Sequence, residues 1–423
     1  MSDSDFPCQP QTLPIIDMKT RLLLTFLSAW IGLLSGCRVF VKTSTPVTVT
    51  FGHPQILKEY YQEMVSAFHK EHPSITVELR AMNAGQTDGL DAFIVDSLSF
   101  LTYQANGAML NLRPVVDTSF DAGDQEDFYP GALAAFSTPE GIWALPSGAD
   151  PVVLYFNKDM FDQARLPYPT PDWTWEDFLS AANRLSKPEE GIFGFGLYGI
   201  YLELVPVVWI YQNDGKLFDN LQNAHYMVFD DPANIAAMEW YADLLFNYHV
   251  MPTPDQTASL FGNREQGVQR AILQGKIGMW MARFSERGGK TWPVEWSMPW
   301  GMAALPRGRQ DFSIGFVIGH AIAANTKHID ASWEWIRFLS DQATGLAVPA
   351  RQSLAKSTAF TQIVGSEIAT AGRESMEKTV LINVGLMQFI EPLELFFQAV
   401  TQITAGKLTP SEALQNAQEQ YNR

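Results

Sequence analysis

From Val47 to Val95 the chain switches repeatedly between two hydrophobic periodicities, and that switching limits the folds open to it. Val47, Val49 and Phe51 interleave with threonines at the two-residue repeat of a strand, and Gly52-His53-Pro54 ends the run. Ile56, Leu57, Tyr60, Met64, Val65 and Phe68 then recur at helical spacing until Pro73. Ile75, Val77 and Leu79 alternate again, and Ala92 to Val95 is a short apolar run that reads as a third strand. Strand, helix, strand, loop, strand is the opening of a parallel α/β sheet. Ligands of such sheets bind beyond the carboxyl ends of the strands, which makes the loops 52–55, 81–88 and 96–99 candidate binding loops.

Upstream, Met18-Lys19-Thr20-Arg21 precedes thirteen mostly apolar residues from Leu22 to Leu34, and Leu34-Ser35-Gly36-Cys37 follows. A positive start, a short apolar stretch and a small-residue cleavage site form a secretory signal. The stretch is too short for the roughly 20 apolar residues of a spanning helix. The run ending in Cys37 resembles a bacterial lipobox, in which the cysteine becomes the acylated first residue. Residues 1–36 are then the signal peptide, with Met18 the expected start of translation, and 37–46 a polar tether. The alternative, a buried N-terminal helix, leaves the order of charges and the position of the cysteine unused.

Export constrains the remainder. No ATP or nicotinamide pool exists outside the cytoplasm, so no cofactor is expected. Cys8 lies upstream of the signal and Cys37 carries lipid, so no disulfide can form and stability must come from apolar burial, for which 46% hydrophobic content is ample. Cleavage removes Lys19 and Arg21 against Asp3, Asp5 and Asp17, and the net charge of −17 becomes −16. An acidic surface of this kind excludes nucleic acid as a partner, and the lipid is the one expected membrane attachment.

Farther along, the acidic loop 117–127 lacks the spacing of an EF-hand and reads as a solvated loop, so no metal is expected. Gly141 to Asn157 reads as a buried extended run broken by Pro146-Ser147-Gly148, a bend or chain crossing that would serve as a hinge. Thr174 lies three residues before Asp177, a helix start close to a capping box. Helices are predicted over 232–248, 266–274, 330–340 and 411–421, and strands over 277–282 and 316–324.

From Thr48 nearly to its end the chain resembles a family 1 extracellular solute-binding protein, the maltose-binding-protein type of receptor for an ABC importer. The residues that carry the resemblance begin with Leu90-Asp91-Ala92-Phe93-Ile94-Val95-Asp96 and Gly107-Ala108-Met109-Leu110-Asn111-Leu112. Trp143-Ala144-Leu145-Pro146, Leu154-Tyr155-Phe156-Asn157-Lys158-Asp159-Met160-Phe161 and Trp173-Thr174-Trp175-Glu176-Asp177-Phe178 follow. Gly275-Lys276-Ile277-Gly278-Met279, Ala304-Leu305-Pro306-Arg307-Gly308 and Ala331-Ser332-Trp333-Glu334-Trp335-Ile336-Arg337-Phe338-Leu339 complete it. Two departures, fewer glycines than usual over 314–320 and a short loop at 81–89, blur ligand identity rather than fold.

The resemblance implies a two-lobed α/β periplasmic-binding-protein-like fold of the class II type, each lobe a mostly parallel sheet flanked by helices. Lobe one would take 47–148 plus 312–350 and lobe two 149–311 plus 351–423. A small-molecule solute, a carbohydrate first among them, would bind between the lobes and pass intact to the transmembrane subunits of an ABC permease. The protein is expected to be a monomer and not an enzyme.

A sugar needs flat aromatic faces and hydrogen-bonding groups around its rim. Most of the twelve tryptophans and thirteen tyrosines must be core, and Trp173, Trp175, Trp333 and Trp335 are assigned to packing. The expected ligand-binding residues are His53, Asp96, Ser97 and His320 in lobe one, Asp150 at the crossing, and Glu203, Trp209, Trp280 and Arg283 in lobe two. The competing roles are helix caps or solvated loops for the carboxylates, a surface ion pair for Arg283 and structural hydrogen bonds for the histidines.

Two rival readings remain open: an exported carbohydrate-active enzyme and a ligand-sensing lipoprotein on the same fold. Glu176-Asp177 and Glu189-Glu190 are adjacent pairs, unlike carboxylates facing across a cleft. Gly-x-Ser-x-Gly is absent, His69-Lys70-Glu71-His72 lacks zinc-protease spacing, and Gly288-Gly289-Lys290-Thr291 lacks the upstream glycine of a phosphate loop.

Overall fold

The computed structural model describes residues 46–423 except Ala84, Gln222, Asn223, Arg264, Glu265 and Pro293. The predicted signal, Cys8 and the predicted lipidation site Cys37 lie outside the described residues. Residues 47–423 form one unit by their contacts. Among the described residues no helix is long and apolar enough to cross a membrane.

The chain opens as its periodicity predicts. Strand β1 (Val47–His53) leads to helix α1 (Lys58–Glu71), then to β2 (Ile75–Ala81) and β3 (Ala92–Asp96). β1 pairs in parallel with both β2 and β3. The acidic loop is partly helical: Asp121 and Asp124 form a capping box on the short helix Ala122–Glu126, and Asp127 accepts from the Ser353 amide at 2.8 Å. These carboxylates thus hold backbone amides.

Strand β4 (Leu145–Asn157) is buried along its whole length. The predicted break at Pro146-Ser147-Gly148 is not a break. β4 continues through it, and the register against a later strand shifts there, with Ile318 opposite Gly148 and Gly319 opposite Pro146. Ser147 is therefore the extra residue of a bulge, which bends the strand without ending it.

Helix α2 (Trp175–Leu185) carries the anticipated capping box between Thr174 and Asp177. It packs on β5 (Phe193–Gly196), where Gly194 leaves room for the Ala182 backbone. Helix α3 (Tyr201–Gln212) has no polar stripe and contains Pro206, so its sequence shows no helical period. It is buried instead on nearly all sides. Then follow α4 (Pro232–Phe246), α5 (Pro254–Phe261), α6 (Gly267–Leu273), β6 (Ile277–Arg283), β7 (Trp300–Ala303) and β8 (Ser313–Ile322). Helix α7 (Ile329–Ser340), β9 (Val348–Pro349), β10 (Thr379–Leu381), α8 (Ile390–Thr404) and α9 (Pro410–Tyr421) complete the elements that position the site.

The ten strands form one continuous sheet in the order β2-β1-β3-β8-β4-β6-β5, with β7 and β9 on β4 and β10 on β8. It is mixed: β8 runs antiparallel to both β3 and β4. β4 changes partners along its length, which divides the sheet into two halves. Leu145 to Pro151 pair with β8, whereas Val152 to Asn157 pair with β6 and β7. Helix α7 covers the first half, packing on β8, β4 and α1, and its Trp335 meets Phe51 of β1 and Phe68 of α1 edge-on at 5.5 and 5.1 Å. Helices α8 and α9 pack with α3 and α4 over the second half.

Candidate functional site

The change of partners along β4 brings together residues far apart in the chain. Asp150, at the end of the first segment, stands opposite Phe316 of β8, and Val152, at the start of the second, stands opposite Arg283 of β6. Arg283 therefore meets both halves of the sheet. Its guanidinium lies 5.4 Å from the Phe316 ring centre, with Nε 3.7 Å from Asp150 and 3.8 Å from Glu286.

Beyond Arg283 the chain turns tightly over Phe284–Gly289, with left-handed backbone at Gly288 where a side chain would be strained. That turn returns three side chains to the crossing. The Ser285 amide and hydroxyl donate to Asp150 at 2.8 and 2.7 Å. Glu286 accepts from the Tyr198 hydroxyl at 2.7 Å, from the Trp292 indole at 2.8 Å, and from the Tyr201 hydroxyl. Arg287 donates to the carbonyls of Phe284 and Leu346 at 3.2 and 3.1 Å. Tyr155 donates to the Arg283 carbonyl at 3.0 Å and fixes the end of β6.

Two carboxylates and two guanidinium groups balance one another in this cluster. Asp150 and Glu286 are almost wholly buried, while the Arg283 side chain keeps 32% of its surface open. Burial pushes the Asp150 carboxyl up; Arg283 and the two Ser285 bonds pull it back. Burial alone would lower the Arg283 guanidinium, but Tyr201, Asp150 and Glu286 more than offset it, so the group is held charged. Burial and then Glu286 raise the Tyr198 and Tyr201 phenols well above the usual range, so both remain donors. The result is a fixed polar wall in which Arg283, about a third exposed, can offer N–H donors to hydroxyl or carbonyl oxygens. Leu98, Ile200, Leu204 and Leu393 help line an apolar cavity of about 90 Å³.

The family model for bacterial extracellular solute-binding proteins matches residues 55–345, more than half of the chain. This chain belongs to that family. Among solved structures, an ABC substrate-binding protein of Listeria monocytogenes in complex with cycloalternan aligns with a TM-score of 0.73 at 20% identity, covering 89% of this chain and 98% of that one. UgpB of Mycobacterium tuberculosis in complex with glycerophosphocholine aligns with a TM-score of 0.71 at 17% identity, covering 89% and 97%. In sequence, the sn-glycerol-3-phosphate-binding periplasmic protein UgpB of Brucella abortus is 24% identical over 192 residues, 42% of this chain and 44% of that protein.

In this solute-binding protein the expected site residues divide. Asp150 and Arg283 meet in the cluster. Ser97 sits beside it but spends its polar groups on the sheet: its amide donates to the Val317 carbonyl at 3.0 Å and its hydroxyl accepts from the Val317 amide at 3.2 Å. Asp96 closes its own turn, accepting from the Ser99 amide at 2.8 Å and the Ser99 hydroxyl at 2.6 Å. His53 and His320 are buried around Tyr61. His320 Nε2 lies 3.1 Å from the Tyr61 hydroxyl, and His53 Nδ1 lies 2.8 Å from the Pro54 carbonyl. Burial lowers the His320 imidazole to about 3, so it is neutral.

The two tryptophans correct the sequence expectation. Trp209 is enclosed by Phe195, Trp240 and Tyr241, and Trp280 stacks on Tyr155 against Trp296. Neither leaves a ring face for a solute, because both fill the core of the second half. Glu203 is separate from the cluster and lines a different cavity.

Sequence reasoning passed over Glu286, Tyr198, Tyr201 and Trp292. One signal was available: Glu286 follows Arg283 by three residues at a strand exit. Nothing local joins it to Tyr198 and Tyr201, more than eighty residues earlier.

Proposed function

We propose that this solute-binding protein is the lipid-anchored receptor of an ABC importer, and that it captures a polyhydroxylated solute, a sugar or oligosaccharide, between its lobes. The observation that carries this reading is the polar cluster of Asp150, Arg283, Ser285 and Glu286, seated where β4 passes from one half of the sheet to the other. Among the residues expected from sequence, Asp150 and Arg283 are those we retain for solute contact, with Tyr198, Tyr201 and Glu286 behind them. Cycloalternan in the Listeria monocytogenes structure favours a saccharide.

We place the boundary of the lobes between Pro151 and Val152. Solute bound to one lobe gains contacts from the other only on closure, so binding shifts the hinge equilibrium by that difference in affinity. The permease then receives the solute unchanged, and Cys37 tethers the receptor through its lipid.

A thermal-shift screen against a carbohydrate and polyol panel tests the reading, because a ligand bound to the native state stabilises it by mass action. A saturable shift with one saccharide, recovered intact by mass analysis, supports it. A converted product would favour the exported enzyme. Normal uptake in a deletion strain would favour the sensor.

A further inference from the structure

The largest polar question outside the crossing concerns Glu203. It stands in the first turn of α3, two residues beyond Tyr201, and lines a cavity of about 320 Å³ between α3, α4, α5 and α8. The carboxyl is half-buried, and no hydrogen bond or ion pair engages it among the described residues. Burial pushes it up, and Glu394 on α8 adds to the push. Nearby, the Tyr241 hydroxyl is fully buried without a hydrogen-bond partner, and Glu203 is the charge that acts on it.

Two hydroxyls of the polar lining are already committed as donors. Thr401 and Thr404 donate their hydroxyl hydrogens to the Phe397 and Thr401 carbonyls at 3.0 and 3.2 Å, which leaves their oxygens as acceptors. Thr253 caps α5, where Asp255 in the first turn offsets the amide ends of the helix. No Lys, Arg or His is among the described residues that line the cavity, and Leu245, Met251, Val268 and Val400 form an apolar wall. A carboxylate, hydroxyl acceptors and an apolar wall fit a ligand that brings its own N–H donors, a positive charge and a compact hydrocarbon body.

We propose that this cavity is a second binding site, independent of the crossing cluster, for a small aliphatic ammonium ion. The ammonium group pairs with Glu203 and donates to the Thr401 oxygen, while the hydrocarbon rests on Leu245 and Val400. The volume equals that of about ten waters, enough for a six-carbon ring with its ammonium group.

The probe is cyclohexylammonium, compared with cyclohexanol and with potassium chloride at matched ionic strength, by thermal shift and titration calorimetry on the whole protein. Cyclohexylammonium is expected to bind saturably and about tenfold or more tighter than the alcohol, the ratio a charge-assisted bond supplies. Glu203→Gln should bring the ammonium down to the affinity of the alcohol. Thr401→Val, which keeps shape and drops an acceptor, should weaken the ammonium and leave the alcohol unchanged. No saturable binding to the native protein, equal affinity for the two probes, or undiminished binding by Glu203→Gln each overturns the proposal. Should Glu203→Gln fail to fold, the ammonium-to-alcohol ratio in Thr401→Val decides: an unchanged ratio rejects the site.

Discussion

Asp150 and Ser285 are joined twice, through the Ser285 amide at 2.8 Å and its hydroxyl at 2.7 Å, although 135 positions separate them. Asp150 belongs to the segment of β4 that pairs with β8, and Ser285 to the turn that follows β6. The pair therefore clamps the strand crossing from the side of the polar cluster. Removing the carboxylate leaves Arg283 without one of its two acidic neighbours and the Ser285 amide without an acceptor. Asp150→Ala should cost about 3–5 kcal/mol in urea unfolding, since it breaks a buried charged network. Ser285→Ala should cost about 1 kcal/mol, and the double variant should fall short of the sum. Strict additivity would mean that the two do not act as a unit.

Glu286 carries a heavier load, because three donors from two segments converge on it. Glu286→Leu should destabilise by about 3–5 kcal/mol, leaving two phenols and an indole buried without an acceptor. Glu286→Gln keeps shape and one acceptor oxygen and should cost less than half as much. Equal losses in the two variants would show that charge rather than geometry holds the cluster.

Solute binding should separate contact residues from packing residues. For the saccharide that the panel identifies, Arg283→Ala should weaken affinity at least about tenfold, the scale of a lost charge-assisted hydrogen bond. Trp280→Ala should lower unfolding stability by about 3–5 kcal/mol while leaving the affinity of the folded fraction nearly unchanged. The reverse pattern in titration calorimetry would return Trp280 to the solute and remove Arg283 from it.

His320 predicts an acid limb. Its imidazole titrates at about 3 in the fold, through burial, against about 6.5 in an unfolded chain. Above pH of about 6.5 it is neutral in both states and contributes no pH dependence. Between about 6.5 and 3 the unfolded chain takes up a proton that the fold refuses, so stability falls as pH falls, by up to about 5 kcal/mol across the window. Urea midpoints measured from neutral pH to pH 4 should therefore flatten in His320→Phe. An identical slope in that variant would assign the acid limb to other groups.

Gly194 sets the spacing between β5 and α2. A methyl group there would overlap the Ala182 carbonyl, and a helix backbone cannot step aside as a flexible side chain can. Gly194→Ala should cost about 1–3 kcal/mol or more in unfolding stability.

The fold was largely readable because its signals are local. The switch between two-residue and helical periods located β1, α1, β2 and β3, and the Thr174 and Asp177 box marked the start of α2. Helix α3 escaped the same reading because burial on nearly every side removes the polar stripe that makes a helix visible. Pro146-Ser147-Gly148 misled for a related reason, since a bulge and a break have the same local composition and differ only in whether a partner strand continues alongside.

The sequence by itself determined the order of strands and helix at the opening of the fold and the place of several later elements, and its motifs pointed to a solute-binding body. Only the tertiary structure decided which polar groups meet. Asp150 finds Ser285, and Glu286 finds Tyr198 and Tyr201, because β4 exchanges β8 for β6 at Pro151 and Val152. The same packing turned Trp209 and Trp280 inward and set Glu203 in a separate cavity. Proximity between residues so distant along the chain depends on strand register and on which side of an element faces inward. Both are settled by burying apolar area across the whole sheet, a sum to which no single stretch of sequence holds the answer.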